Sequence, residues 1–142
     1  MKLLKLILLV TFSFQCSEAF TQDLSKHKWE NRLLLILTND PENLSYKKQV
    51  LEFQKAPLEF KERKLLVYHI TPSKFKKGLY SDIWQDTESK YAFFYPTKAD
   101  FEVILTGLDG GIKLRQKTLL RCSNLFSVID RMPMRRQELR NK

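Results

Sequence analysis

Near the carboxyl end, Arg131-Met132-Pro133-Met134-Arg135-Arg136-Gln137-Glu138-Leu139-Arg140 sets four arginines around one proline and two methionines. Guanidinium groups at that density have two uses. They can face outward and hold phosphate, sulfate or carboxylate groups of a partner, or they can pair with internal carboxylates in the bidentate geometry the two groups share. If Pro133 opens a helix, Arg135 and Arg136 fall in its first turn, where the positive end of the helix dipole disfavours cations by roughly 0.3–1 kcal/mol each. Something acidic should compensate, and Asp130 and Glu138 are the nearest carboxylates in the chain. The candidate anion-binding set is Arg131, Arg135, Arg136 and Arg140, joined by Lys113 and Arg115 from an earlier basic run. In the alternative, the same arginines latch the last helix to the domain.

Catalytic chemistry finds little support. Cys122 stands just before a run with helical spacing, where nearby amide groups could lower a thiol pKa; the other reading is a small residue at a helix entrance. His27 and His69 are the only histidines, and no close Cys/His spacing supplies the roughly four donors of a zinc site. No Gly-x-Ser-x-Gly elbow or phosphate-binding glycine loop occurs. Asp82, Asp86 and Glu88 sit in a polar, lysine-rich stretch where acids are ordinarily solvated. No catalytic residue, metal site or cofactor is expected.

The chain has 142 residues with 43% hydrophobic and 29% charged side chains, the balance of one globular domain. Its first nineteen residues differ: Lys2 and Lys5 precede an apolar run from Leu6 to Phe14, and Ser17-Glu18-Ala19 then offers small residues for cleavage. The run is well short of the ~20 apolar residues that cross a bilayer. Residues 1–19 therefore read as an export signal, with residues 20–142 as a single mature domain that is periplasmic or extracellular. Lipidation at Cys16 is the alternative, but Ser13-Phe14-Gln15 lacks the residues that usually precede a lipidated cysteine. Losing Lys2, Lys5 and Glu18 from a chain of net charge +9 leaves a mature surplus of about eight positive charges. Export replaces nucleic acid, the first partner such a charge would imply, with an anionic glycan, an envelope polymer, a membrane surface or an acidic protein. Cys122 alone remains as a thiol, so no internal disulfide forms and stability rests on the core.

Those residues need a scaffold. Leu33-Leu34-Leu35-Ile36-Leu37, bounded by Thr38-Asn39-Asp40-Pro41, predicts a buried strand and a turn. Tyr46, Val50 and Phe53 repeat at helical spacing until Pro57 stops or kinks the helix. Leu65 to Ile70 predicts a second central strand, with the helix as a parallel crossover. A helix is expected within residues 73–88, and a short strand or aromatic cover at Tyr91 to Tyr95. Phe101 to Leu105 and Ile112 to Arg115 form a hairpin around Asp109-Gly110-Gly111, where glycines can take positive φ. Ser123 is the expected cap of a helix with Leu125, Phe126, Ile129 and Met132 on one face, and Pro133 suits the first turn of another.

Strand, helix, strand, helix, strand, strand, helix is the order of a thioredoxin-like α/β domain, a central mixed sheet flanked by helices. Trp29-Glu30-Asn31-Arg32, Phe101 to Arg115, and Ile129-Asp130-Arg131-Met132-Pro133-Met134-Arg135-Arg136-Gln137-Glu138 together resemble the DUDES family, over about residues 25 to 141. That family comprises exported bacterial domains of unknown function and related modules of extracellular matrix and sushi-repeat proteins. The resemblance implies a thioredoxin-like fold in an extracytoplasmic setting and carries no established activity. Where redox thioredoxins place Cys-x-x-Cys, this chain has Thr38-Asn39-Asp40-Pro41-Glu42-Asn43, and Pro96 lies five residues before Phe101 rather than directly before its strand. The expectation is an exported, nonenzymatic binding or adhesion-type module; a thiol-disulfide or peroxide-handling enzyme using Cys122 and a protein-protein adaptor are the alternatives.

Overall fold

The computed structural model describes residues 24–86 and 98–142. Residues 1–19, expected to be an export signal, with Cys16, the acid Glu88, the aromatic run 91–95 and Pro96 lie outside the described residues.

Strand β1 (Arg32–Thr38) is buried along its whole length, which is why its apolar residues run continuously instead of alternating. It pairs in parallel with β2 (Leu65–Ile70), from Arg32 opposite Leu65 to Leu37 opposite Ile70. On its other side it pairs antiparallel with β5 (Phe101–Thr106). With β3 (Lys74–Lys77), β4 (Gln85–Asp86) and β6 (Ile112–Gln116), the described strands form one sheet in the order β4-β3-β2-β1-β5-β6. Leu34, Ile36, Val67, Val103 and Leu105 point to one face, where Phe53, Phe60, Leu125 and Ile129 pack on them. Leu33, Leu35, Leu37, Tyr68, Ile70 and Ile104 form the core of the other face.

The crossover between β1 and β2 is helical, as the spacing predicts, but in two pieces. Helix α1 (Leu44–Phe53) is capped by Asn43, whose side chain accepts from the amides of Ser45 and Tyr46, and it buries Tyr46, Gln49 and Phe53. The first helix stops short of Pro57, as expected, and Pro57 then opens a second, α2 (Pro57–Glu62), in whose first turn its missing N–H costs nothing.

Among the described residues 73–86 the expected helix is absent. The Thr71 amide donates to the Lys74 carbonyl at 2.8 Å and the Lys74 amide to Thr71 Oγ1 at 2.9 Å, so the chain reverses tightly after β2. Lys74–Lys77 then joins the sheet as β3, and β4 pairs with it. The second correction concerns Ser123. Helix α3 (Cys122–Asp130) starts one residue before it, with Arg121 at the cap position and no side-chain cap bond. Helix α1 satisfies that end instead: Glu52 Oε1 accepts from the Cys122 amide at 3.2 Å, and buried Gln49 exchanges hydrogen bonds with the Leu120 amide and carbonyl. Helix α4 (Pro133–Arg140) begins at its proline, as read from the sequence.

The β5–β6 hairpin turns through Asp109-Gly110-Gly111, and only one of the two glycines uses its freedom. Gly110 has φ +79°, while Gly111 lies outside the left-handed region. Gly111 instead donates its amide to Asp109 Oδ1 at 3.0 Å.

Candidate functional site

Arg135 does not face solvent. It is 1% exposed, and its guanidinium reaches Asp130 Oδ1 at 3.2 Å, Glu138 Oε2 at 3.3 Å and Glu62 Oε1 at 3.3 Å, with a further bond to the Glu62 carbonyl. Arg32, 0% exposed at the start of β1, holds both oxygens of Glu138 and donates to the Arg63 carbonyl at 2.9 Å. Arg63 completes the cluster with a fork onto Asp130, at 3.0 and 2.7 Å, and its guanidinium lies 4.4 Å from the centre of the Phe126 ring. Three guanidiniums and three carboxylates thereby tie β1, the end of α2, and the α3–α4 corner together. Burial pushes the Asp130 carboxyl up, but the hydrogen bonds and charges of Arg63 and Arg135 outweigh it and hold the group below the usual carboxylate range. Glu62 is held low first by Lys142 and then by Arg135. Arg32 Nε is buried without a hydrogen-bond partner, so the cluster is not fully satisfied.

The other five members of the candidate set are divided. Lys113 pairs with Asp109 at 2.9 Å, and Arg115 forks onto Glu102, which is 2% exposed, at 2.7 and 2.9 Å. Both lie on β6, at the edge of the sheet. Arg131 bonds the Ser127 carbonyl. Arg136 and Arg140 are exposed four residues apart on α4 and make no side-chain hydrogen bond or ion pair among the described residues. That like-charged spacing disfavours the helix by a few tenths of a kcal/mol.

The segment at the carboxyl end of β1, where a redox site would sit, is closed by its own polar groups. Thr38 Oγ1 donates to the Asp40 carbonyl at 2.7 Å, the Glu42 amide bonds Asp40 Oδ1, and Asn39 reaches Asp100. Both histidines are buried. His69 Nε2 faces the Gly78 carbonyl at 2.9 Å and so donates, leaving Nδ1 to accept from the Tyr46 hydroxyl at 2.9 Å. Burial is the main cause that lowers its pKa to about 4. His27 Nε2 contacts the Tyr68 hydroxyl at 2.8 Å. Cys122 stands at the first position of α3, yet its pKa is not lowered: burial first, and then the Glu52 carboxylate, push it up to about 11. The thiol donates to the Glu52 carbonyl. Among the described residues no group of three or more His, Cys, Asp or Glu side chains is placed to hold a metal ion.

Residues 23–138 match the family described as Domain of unknown function (DUF4174). The chain belongs to this family. A comparison with proteins of curated function found no match. Among solved structures, the DUF4174 chain is similar to the mitochondrial 2-Cys peroxiredoxin from Plasmodium falciparum, with 11% identity, a TM-score of 0.50, and 75% of this chain and 78% of that chain covered. At that identity the likeness shows the fold alone: a thioredoxin-like α/β domain, its mixed sheet flanked by helices and without a Cys-x-x-Cys motif.

Sequence reasoning named Arg135 and its acidic neighbours but missed Arg32, Arg63 and Glu62. Arg32 had a signal: an arginine directly abutting Leu33 to Leu37 must be buried with the strand and needs an acid. Arg63 and Glu62 had none, since they lie in an ordinary run of charges, Lys61-Glu62-Arg63-Lys64.

Proposed function

We propose that this DUF4174 domain is an exported, nonenzymatic binding module that recognises an anionic partner, with the outward arginines of α4 as its contact. The observation that carries this reading is the contrast within one helix. Arg135 is consumed by internal carboxylates, whereas Arg136 and Arg140 are held outward on the same rigid element with nothing acidic against them among the described residues. A helix pinned through its buried side presents two cations at little further cost in order. The resemblance of residues 25 to 141 to DUDES domains supports the same direction, since those domains occur in exported and extracellular proteins. A raised thiol pKa at Cys122 speaks against a reactive cysteine.

Elution from a sulfated resin tests the contact. The Arg136→Gln/Arg140→Gln protein should elute at distinctly lower salt than the control Lys76→Gln/Lys77→Gln, which removes the same formal charge, and both should unfold near the wild-type midpoint. Equal elution of the two variants would overturn the assignment to α4. Intact-mass measurement of the exported pool tests processing: the mature chain should begin at Phe20, and retained Met1 or a diacylated Cys16 contradicts it.

A further inference from the structure

Helices α1 and α2 carry another surface. With Tyr46, Gln49 and Phe53 turned into the core, helical periodicity places Leu44, Lys48 and Leu51 on the opposite, outward arc of α1. Leu44 is 65% exposed, Leu51 62%, and Leu58 in the first turn of α2 77%. Tyr80, also exposed, is fixed beside them by its hydroxyl, which donates to the Gln54 carbonyl at the end of α1 at 2.7 Å.

The cations on this surface differ in what they meet. Lys47 pairs with Glu42 and Lys55 with Glu52, whereas the side chains of Lys48 and Lys61 make no hydrogen bond or ion pair among the described residues. Of the acids on α2, Glu62 is engaged by Arg135 and Lys142, which leaves Glu59. Leucines alternating with lysines match the boundary of a bilayer: the branched side chains enter its apolar edge while lysine stems lie along it and the ammonium groups reach the phosphates. Charge decides between this and a second copy of the chain, since a copy would bring the same lysines and the same surplus of about eight positive charges against itself. No helix of the described residues is long and apolar enough to cross a membrane.

We propose that the α1–α2 face, through Leu44, Leu51 and Leu58 with Lys48 and Lys61, docks on an anionic phospholipid bilayer. The proposal rests on the anionic-partner reading for the sign of the ligand's charge, but it uses a different face from α4.

Flotation of the purified protein with vesicles tests it. The wild type should float with mixed phosphatidylglycerol–phosphatidylcholine vesicles and not with phosphatidylcholine alone. Leu51→Gln/Leu58→Gln should lower the bound fraction about tenfold by withholding two apolar side chains from the lipid, with elution from the sulfated resin unchanged. Both leucines are exposed, so the unfolding midpoint should stay near that of the wild type. Lys48→Glu/Lys61→Glu is the second variant and should abolish flotation at moderate salt. Flotation of the leucine variant at the wild-type level, equal binding to phosphatidylcholine vesicles, or a concentration-dependent dimer that the leucine changes abolish would each overturn the proposal. The two readings fail separately. Leucine-dependent flotation with no effect of Arg136→Gln/Arg140→Gln on the resin removes the α4 contact alone, and the converse removes the bilayer.

Discussion

Arg135 and Arg136 are adjacent in the chain and take opposite fates. The helix dipole makes both cations costly, but only Arg135 points at carboxylates, and burial among Asp130, Glu138 and Glu62 leaves it unavailable to a ligand. Cys122 shows the same dependence on surroundings. Its place at a helix start favours a thiolate, but burial first and then the negative charge of Glu52 reverse that. Iodoacetamide should therefore alkylate Cys122 far more slowly at pH 8 than it does a free thiol, and Cys122→Ser should fold normally; rapid alkylation of the native protein would refute this. His69 gives a pH dependence of definite sign. Its pKa is depressed from 6.5 to about 4, so it contributes stability that is present above pH 6.5 and lost as pH falls through about 4. In urea titrations, the stability advantage of the wild type over His69→Gln should shrink between pH 7 and pH 4, and a constant difference would contradict it.

At the scale of elements, those whose burial writes a pattern were legible: β1, β2, the β5–β6 hairpin, α1 and the proline start of α4. Misreadings occurred where a distant residue or a short-range bond decides. The start of α3 is settled by Gln49 and Glu52, seventy residues away in the chain, and no local pattern at Ser123 contains them. The segment after β2 mixes lysines and aromatics without a period, and the Thr71–Lys74 turn then commits it to the sheet. The Gly110 turn was readable because its requirement is local. Gly110→Val should cost roughly 1–3 kcal/mol, because a β-branched residue resists φ +79°. An unchanged denaturation midpoint would show that the turn relaxes without a glycine.

For the whole molecule, the segments that carried the family resemblance meet in space. Arg32 comes from Trp29-Glu30-Asn31-Arg32, while Asp130, Arg135 and Glu138 come from the carboxyl-terminal motif, and their ion pairs join the first strand to the last helix. The most recognisable stretch of the sequence is thus largely architectural, which is why it speaks more clearly of fold than of ligand. What remains outward, Arg136 and Arg140 on α4 and the leucine–lysine face of α1 and α2, has no distinctive spacing, since exposed positions follow no packing rule. Arg135 latches the last helix to the domain, and urea denaturation of Arg135→Met beside Arg136→Gln tests that most directly. Arg135→Met removes one of the cationic partners of Asp130, Glu138 and Glu62, each of which keeps another, and should lose about 1–3 kcal/mol, whereas Arg136→Gln should stay within about 0.5 kcal/mol of the wild type. Equal midpoints for the two variants, with anionic-resin retention lost in Arg135→Met, would contradict the account.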